Sequence, residues 1–296
     1  MPKFANLEAV LHKSTIQLLR FHFSLFLLPV YLFAVGCLTA VDIADAVVIF
    51  IILHLLVYPA SNGYNSYMDR DEGSIGGVEN PLQPTKQLFY ASIIMDAAAI
   101  SLGLIVSIPF TICLVAYILA SRAYSYRGIR LKKYPFLGYL TVMIFQGAVV
   151  YYMTYHGSNP VKAVDAPVLA MIASSLLIGG FYPLTQVYQH KADLKDEVKT
   201  ISYKLGYKGT YIFTAIVYIL AMAVMAQYFY RVDKPGNFFV LATILLPVLV
   251  YFFWWAGRVW KNTDEANFRN TMRMNFIAAI CTNLAFITLL ILQTFE

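Results

Sequence analysis

Ser61-Asn62-Gly63-Tyr64-Asn65-Ser66-Tyr67-Met68-Asp69-Arg70-Asp71-Glu72 is the densest acidic stretch in a chain that is otherwise mostly apolar. It follows directly on an apolar run, residues 44–58, that reads as a membrane helix. If that helix continues, Asn65 and Asp69 lie four apart on one face, with Glu72 three further on the same side. An amide and carboxylates gathered at a helix mouth are oxygen ligands of the kind Mg²⁺ takes, and through the ion a phosphate. The plain alternative is a solvated helix end with its charges among lipid headgroups. The rest of the chain has to decide between them.

Composition settles the environment. The 296 residues are 59% hydrophobic and only 13% charged, with a mean hydropathy of +0.64. That is the signature of an integral membrane protein. The aromatic share of 16% suits the membrane–water interface, where Tyr and Trp anchor. Cys37, Cys113 and Cys281 all fall inside apolar runs, which points to buried packing rather than disulfides or a metal cluster. A pI near 9.0 reads here as basic loop charge and not as nucleic-acid binding.

Nine segments are long and apolar enough to span a bilayer, centred on residues 16–40, 44–64, 87–107, 108–124, 135–155, 166–188, 209–230, 237–257 and 272–293. The third and fourth are separated only by a turn around Pro109. No strand alternation competes and no low-complexity linker divides the chain, so residues 1–296 read as one all-α transmembrane domain. Basic residues fix a sidedness. Nineteen of the 22 Lys and Arg, from Lys3 and Lys13 to Arg273, fall on the side of the N-terminus; only Lys162, Arg231 and Lys234 fall opposite. The positive-inside rule then puts the N-terminus in the cytoplasm and the C-terminus outside. In a bacterial cell that membrane is the inner one.

The acidic stretch closes the second span on the basic side. Four spans later, on the same side, the sixth closes in a second polar stretch, Gln186-Val187-Tyr188-Gln189-His190-Lys191-Ala192-Asp193. Gln186, Gln189 and Asp193 fall at i, i+3 and i+7, one helix face. The pattern is that of a four-helix unit used twice, plus a ninth helix, with two polar mouths facing one cavity. Oxygen ligands below cationic loops suit a diphosphate, with Mg²⁺ held by one or two carboxylates and the substrate's own phosphates, and Arg and Lys taking the remaining charge. An apolar, aromatic tunnel beneath suits an isoprenoid tail. A metal-held allylic diphosphate can ionise, and aromatic faces stabilise an allyl cation; Tyr124, Tyr126 and Tyr182 are candidates for that role, whose ordinary reading at helix ends is interface anchors.

These residues carry a family resemblance. Asn65 and Asp69 with position 73, then Arg70-Asp71 and Asn80-Pro81-Leu82-Gln83-Pro84, resemble the first motif region of the UbiA superfamily of intramembrane prenyltransferases. Tyr124-Ser125, Arg130-Leu131-Lys132-Lys133 and Pro135 are similar to its segment between the fourth and fifth helices. Lys199-Thr200 with Leu205-Gly206 resembles the close of its second motif, and Arg20 and Pro29 stand where its first helix often has Arg and Pro. The resemblance covers nearly the whole chain. It implies Mg²⁺-dependent transfer of a polyprenyl group from its diphosphate to an aromatic or other lipophilic acceptor among membrane lipids. Asn65, Asp69 and Glu72 or Asp71 would hold the first metal, and Asp193 with Gln186 and Gln189 would form the opposing wall. Asp69, Asp193 and Asn65 would be the catalytic set, and Lys86, Tyr124, Arg130 and Lys132 would attend the diphosphate.

Two departures from the family pattern stand out. Position 73 is Gly, so the third acid of the first motif is missing, and Glu72 has the better angular position to replace it. In the second motif Gln186 and Gln189 stand where the family has Asp, which removes two negative charges. That neutralisation keeps a second expectation open: an isoprenoid- or lipid-binding membrane protein without catalysis, or a transporter, on the same helices. Asp96, an acid midway along the third span, is the residue a transporter would want. His190 is a candidate ligand or proton acceptor whose ordinary reading is an interfacial histidine.

Overall fold

Prolines inside apolar runs set the shape of the helices. The protein is described here by a computed structural model covering residues 11–294; Lys3 lies outside the described residues. Helix α1 is a bent pair, Lys13–Phe26 and Leu28–Gly36, turned by 40° just ahead of Pro29. Helix α2 runs Ile43–Asp69. Within it Pro59 lacks the N–H that would bond back one turn, and its ring crowds that turn. The preceding residues, Ile51–Val57, widen into a π-helix that accommodates it. Helices α3 (Lys86–Val106) and α4 (Ile108–Ser125) meet at Ser107 alone. Ser107 is extended and caps α4 by accepting from the Phe110 N–H. Pro109 therefore lies inside the first turn of α4, where a missing N–H leaves nothing unsatisfied, rather than in the connecting turn.

Helix α5 (Pro135–Ser158) carries a second π segment, Ile144–Val149. There Gly147 backs onto helix α6 (Val168–Lys195): a Cβ at Gly147 would come within 2.4 Å of Ser175 Cα. Only glycine permits that approach, and the Ser175 hydroxyl accepts from the Ala148 N–H at 2.9 Å. From Tyr182, just before Pro183, α6 tightens into a 3₁₀ stretch, Tyr182–Gln189. Helix α7 (Ile201–Arg231) is interrupted near its start by Gly206 at φ 68°. Helix α8 is the second bent pair, Pro235–Ile244 and Leu246–Lys261, turned by 45° ahead of Pro247, and α9 is Phe268–Gln293.

Seven of these helices are each long and apolar enough to cross a membrane, and the total is nine if each bent pair crosses once. Among the described residues there is no strand beyond a single bridge between Ile75 and Val78. The nine spans expected from hydropathy are thus the nine helices, with α7 starting earlier than its apolar run. Ile94, Ile105, Ile219 and Val250 are about two-thirds or more exposed, which suits side chains solvated by lipid. All three cysteines are free. The protein is an integral membrane bundle.

Candidate diphosphate site

Three chain segments at the ends of α2, α4 and α6 meet over one cavity. Helix α2 stops at Asp69 because Arg70 adopts the left-handed conformation, φ 55°, and its N–H closes onto Ser66 O. The chain after it folds back onto α1. Ile75 and Val78 exchange backbone hydrogen bonds of 2.9 Å and pack with Leu18, Leu19 and Leu88 in a small satellite core. Arg20, buried on α1, donates to Gly76 O at 3.1 Å and Asn62 O at 3.3 Å.

This turn sorts the acids. The expected helical continuation to Glu72 does not occur. Asp71 lines the cavity, whereas Glu72 is exposed and lies outside the lining. Gly73, the position of the missing third acid, is exposed, with nothing within 4 Å of where its Cβ would stand. Burial and then the neighbouring Asp69 push the Asp71 carboxyl up to about 6, with Lys132 and Arg20 pulling the other way.

The second segment, between α4 and α5, is a cationic strap. Arg127 donates from Nε to Met68 O at 2.7 Å. Arg130, buried and in the left-handed conformation, pairs with Asp196 and places Nη2 3.8 Å from Asp69 Oδ1. Lys132 Nζ lies 2.5 Å from Asp69 Oδ2. Asn65 Nδ2 donates to the same oxygen at 2.9 Å and to Ser125 Oγ at 3.1 Å. Asp69 is the hub that ties α2 to this strap.

The third segment is the 3₁₀ stretch of α6. Three residues per turn bring i and i+3 into register, so Gln186 stacks over Gln189, and Tyr182 over Thr185 and Tyr188. All five line the cavity, with Asp193 beyond them. Gln186 Nε2 donates to the Tyr182 hydroxyl at 2.8 Å, and that hydroxyl pairs with the Tyr124 hydroxyl. Phe145 and Gln146, from the α5 π segment, complete the wall, and Asn275 on α9 closes it from below.

With its open mouth the cavity measures about 1170 Å³. Asn65, Asp69, Asp71, Tyr124, Lys132, Gln186, Gln189 and Asp193 all line it. Arg130 reaches Asp69 but does not line the space, and Lys86, at the exposed start of α3, is outside it. Arg20, Gln146, Tyr188 and Asn275 also line it, and spacing within the polar stretches could not single them out. For Arg20 a signal existed: an arginine in an apolar span is seldom there without a cavity or partner.

Several lining atoms are buried without a hydrogen-bond partner: Asp69 Oδ1, Asp193 Oδ2, Gln186 Oε1, the Tyr188 hydroxyl and Arg20 Nε. Buried polar groups are ordinarily satisfied. Oxygens from opposite walls, left unsatisfied around one space that also holds Arg20 and Lys132, fit a hydrated cation together with an anion. Among the described residues, no three His, Cys, Asp or Glu side chains converge closely enough to cage a metal by themselves. Mg²⁺ needs no such cage, because it keeps waters and takes substrate phosphate oxygens.

Two other candidates resolve differently. Asp96 is paired with Arg122, whose guanidinium sits 4.1 Å from the Tyr64 ring centroid. Neither Asp96 nor Arg122 lines the cavity. Asp96→Asn is expected to lower stability by about 1.5–3 kcal/mol, which thermal unfolding of the purified variant checks. His190 is buried, bonded to Ser202 Oγ at 2.8 Å and stacked on Tyr207 at 4.7 Å. It is a buried brace between α6 and α7.

The described residues thus form a membrane helix bundle with a charged cavity at one end and an apolar interior. Residues 24–277 match the UbiA prenyltransferase family, and the chain belongs to it. Similar solved structures include a UbiA homologue from Archaeoglobus fulgidus bound to GPP and Mg²⁺, at 16% identity, TM-score 0.68, covering 94% of this chain and 99% of that one. Another is an apo UbiA homologue from Aeropyrum pernix K1, at 15% identity, TM-score 0.69, covering 91% and 98%. A digeranylgeranylglyceryl phosphate synthase aligns at 19% identity, TM-score 0.60, covering 94% and 97%. At these identities the likeness is one of fold. No curated protein sequence matches the chain.

Proposed function

We propose that this protein transfers a polyprenyl group from its diphosphate to a lipophilic acceptor within the membrane, with Mg²⁺ as cofactor. One observation carries the reading: the charged cavity and a separate apolar cavity share a wall residue, Asn275. That junction matches an amphiphile with a charged head and a hydrocarbon tail. Membership of the UbiA family and the GPP and Mg²⁺ bound by the Archaeoglobus homologue support it.

Asp69, with Asn65 and Asp71, would hold the cation from the α2 side, and Asp193, with Gln186 and Gln189, from the α6 side. When bound, Mg²⁺ would offset the diphosphate charge and stabilise it as a leaving group. Lys132 and Arg20 would take phosphate oxygens directly, Lys132 by exchanging its hold on Asp69. Arg130, engaged by Asp196, would act by keeping the strap over the cavity. Tyr124 and Tyr182 would present ring faces to the developing allyl cation, where the quadrupole is attractive. Glu72 and Lys86 have no part in this assignment. We place the α2, α4 and α6 ends on the cytoplasmic side, as their basic residues favour, with the C-terminus outside.

The test is purified protein in detergent with Mg²⁺ and geranylgeranyl diphosphate, assayed for diphosphate release with hydroxybenzoate, naphthoate and glycerol-phosphate lipid acceptors. Release that depends on one acceptor supports the transferase. Binding without cleavage for every acceptor would leave the non-catalytic binder as the correct account.

A further inference from the structure

Helix α9 carries two arginines where it reaches the charged end of the bundle. Arg269 and Arg273 are both exposed, and at a spacing of four they share a face. They line an open recess of about 790 Å³ together with Phe268, Met272 and Phe276 of the same helix and Glu79 of the chain between α2 and α3. No residue of this recess lines the charged cavity. The two spaces stand back to back: Phe268 meets Tyr188, a cavity residue, edge-on at 5.3 Å. Arg273 lies beside the Tyr251 hydroxyl on α8. Among the described residues neither arginine forms an ion pair, and Glu79 pairs with neither. Two like charges at this spacing repel, and no carboxylate contact offsets them.

Beyond the pair the same face turns apolar. Phe276, Ile280, Leu284, Ile287 and Ile291 follow at spacings of three and four, each between 39% and 52% exposed. The stripe rises about 22 Å, more than the roughly 15 Å depth of one leaflet's hydrocarbon. We propose that Arg269 and Arg273 bind the phosphate of an anionic membrane lipid whose acyl chain lies along this stripe. Guanidinium groups take phosphate oxygens through paired N–H donors, and basic recesses beside membrane helices collect anionic headgroups. An acidic peptide or a free phosphate matches the charge but leaves the stripe unused. A lipid answers both halves of the face. The assignment does not depend on the prenyl-diphosphate reading of the charged cavity.

The experiment is native mass spectrometry and titration of the full-length protein in detergent with phosphatidylglycerol, phosphatidylcholine and inorganic phosphate. Wild type is expected to hold phosphatidylglycerol about tenfold or more tighter than phosphatidylcholine. Arg269→Ala combined with Arg273→Ala removes that preference, and the glutamine pair serves if the alanine pair fails to fold. Glu79→Gln strengthens it severalfold, because an acid beside the headgroup is deleted. Lys204→Ala with Lys208→Ala is the control. It removes the same charge from exposed positions on α7 at the same end of the bundle, and should leave the preference as in wild type. Equal loss in the two double variants would mean diffuse attraction and overturn the site. So would the absence of any preference in wild type. Inorganic phosphate bound as tightly as phosphatidylglycerol would overturn it too, since the apolar stripe would then contribute nothing.

Discussion

Asp69→Ala is expected to abolish the Mg²⁺ dependence of geranylgeranyl diphosphate binding and to lower kcat/KM for prenyl transfer by about 10²–10³-fold. Asp69 is buried, and its two oxygens are differently engaged. Oδ2 holds Asn65 and Lys132 at 2.9 and 2.5 Å. Oδ1 has no hydrogen-bond partner, with Arg130 at 3.8 Å. Removing the carboxylate deletes a cation ligand and at the same time releases Lys132. The cavity becomes more positive, so a bare diphosphate is still attracted. Loss of all binding is therefore the wrong signature; the informative measurement is an affinity that no longer responds to Mg²⁺. Glu72→Ala and Lys86→Ala, exposed and outside the cavity, serve as controls and should retain both affinity and Mg²⁺ response. An Asp69→Ala protein with wild-type affinity and wild-type Mg²⁺ dependence would put the site elsewhere.

The fold was legible because membrane spans depend on a local property, the length of an apolar run, and the nine runs became nine helices. Asn65 and Asp69 were legible for a similar reason, since i and i+4 share a face on any helix. The choice between Asp71 and Glu72 was not. It depends on Arg70 stopping the helix in the left-handed conformation, a conformation seldom adopted by residues other than glycine, asparagine and aspartate. Angular arithmetic beyond that stop favoured Glu72, which is exposed, over Asp71, which lines the cavity. Asn275 belongs to neither polar stretch and reaches the cavity through tertiary packing, whereas Arg20 carried the signal of an arginine in an apolar span. Arg130 reads in sequence as a free cation near a phosphate site, but Asp196, 66 residues away, engages it. Partnerships at that separation leave no local trace, and the Asp96–Arg122 pair is a second instance.

Restoring charge to the α6 wall tests the other half of the site. Gln186→Asp combined with Gln189→Asp is expected to lower the Mg²⁺ concentration giving half-maximal activity on the order of 10–100-fold. The 3₁₀ stretch puts both positions on one column facing the cavity. Gln186 Oε1 already lies buried without a partner, so a carboxylate placed there meets no competing donor except the Tyr182 hydroxyl. That hydroxyl now accepts from Gln186 Nε2 and would turn to donate. The same charges act oppositely when no cation is present. Two more acids beside Asp193, Asp71 and Asp69 repel one another, and burying an unpaired charge is unfavourable. The purified double variant should therefore melt below wild type in chelator and recover more than wild type does when Mg²⁺ is added. Gln189→Asp alone, at a half-buried position, should show both effects in smaller measure. If neither the Mg²⁺ requirement nor the chelator melting point moves, the α6 wall takes no part in holding the cation. The two glutamines would then be hydrogen-bonding residues of the cavity lining, and Asp69 with Asn65 and Asp71 would have to hold the cation from one side.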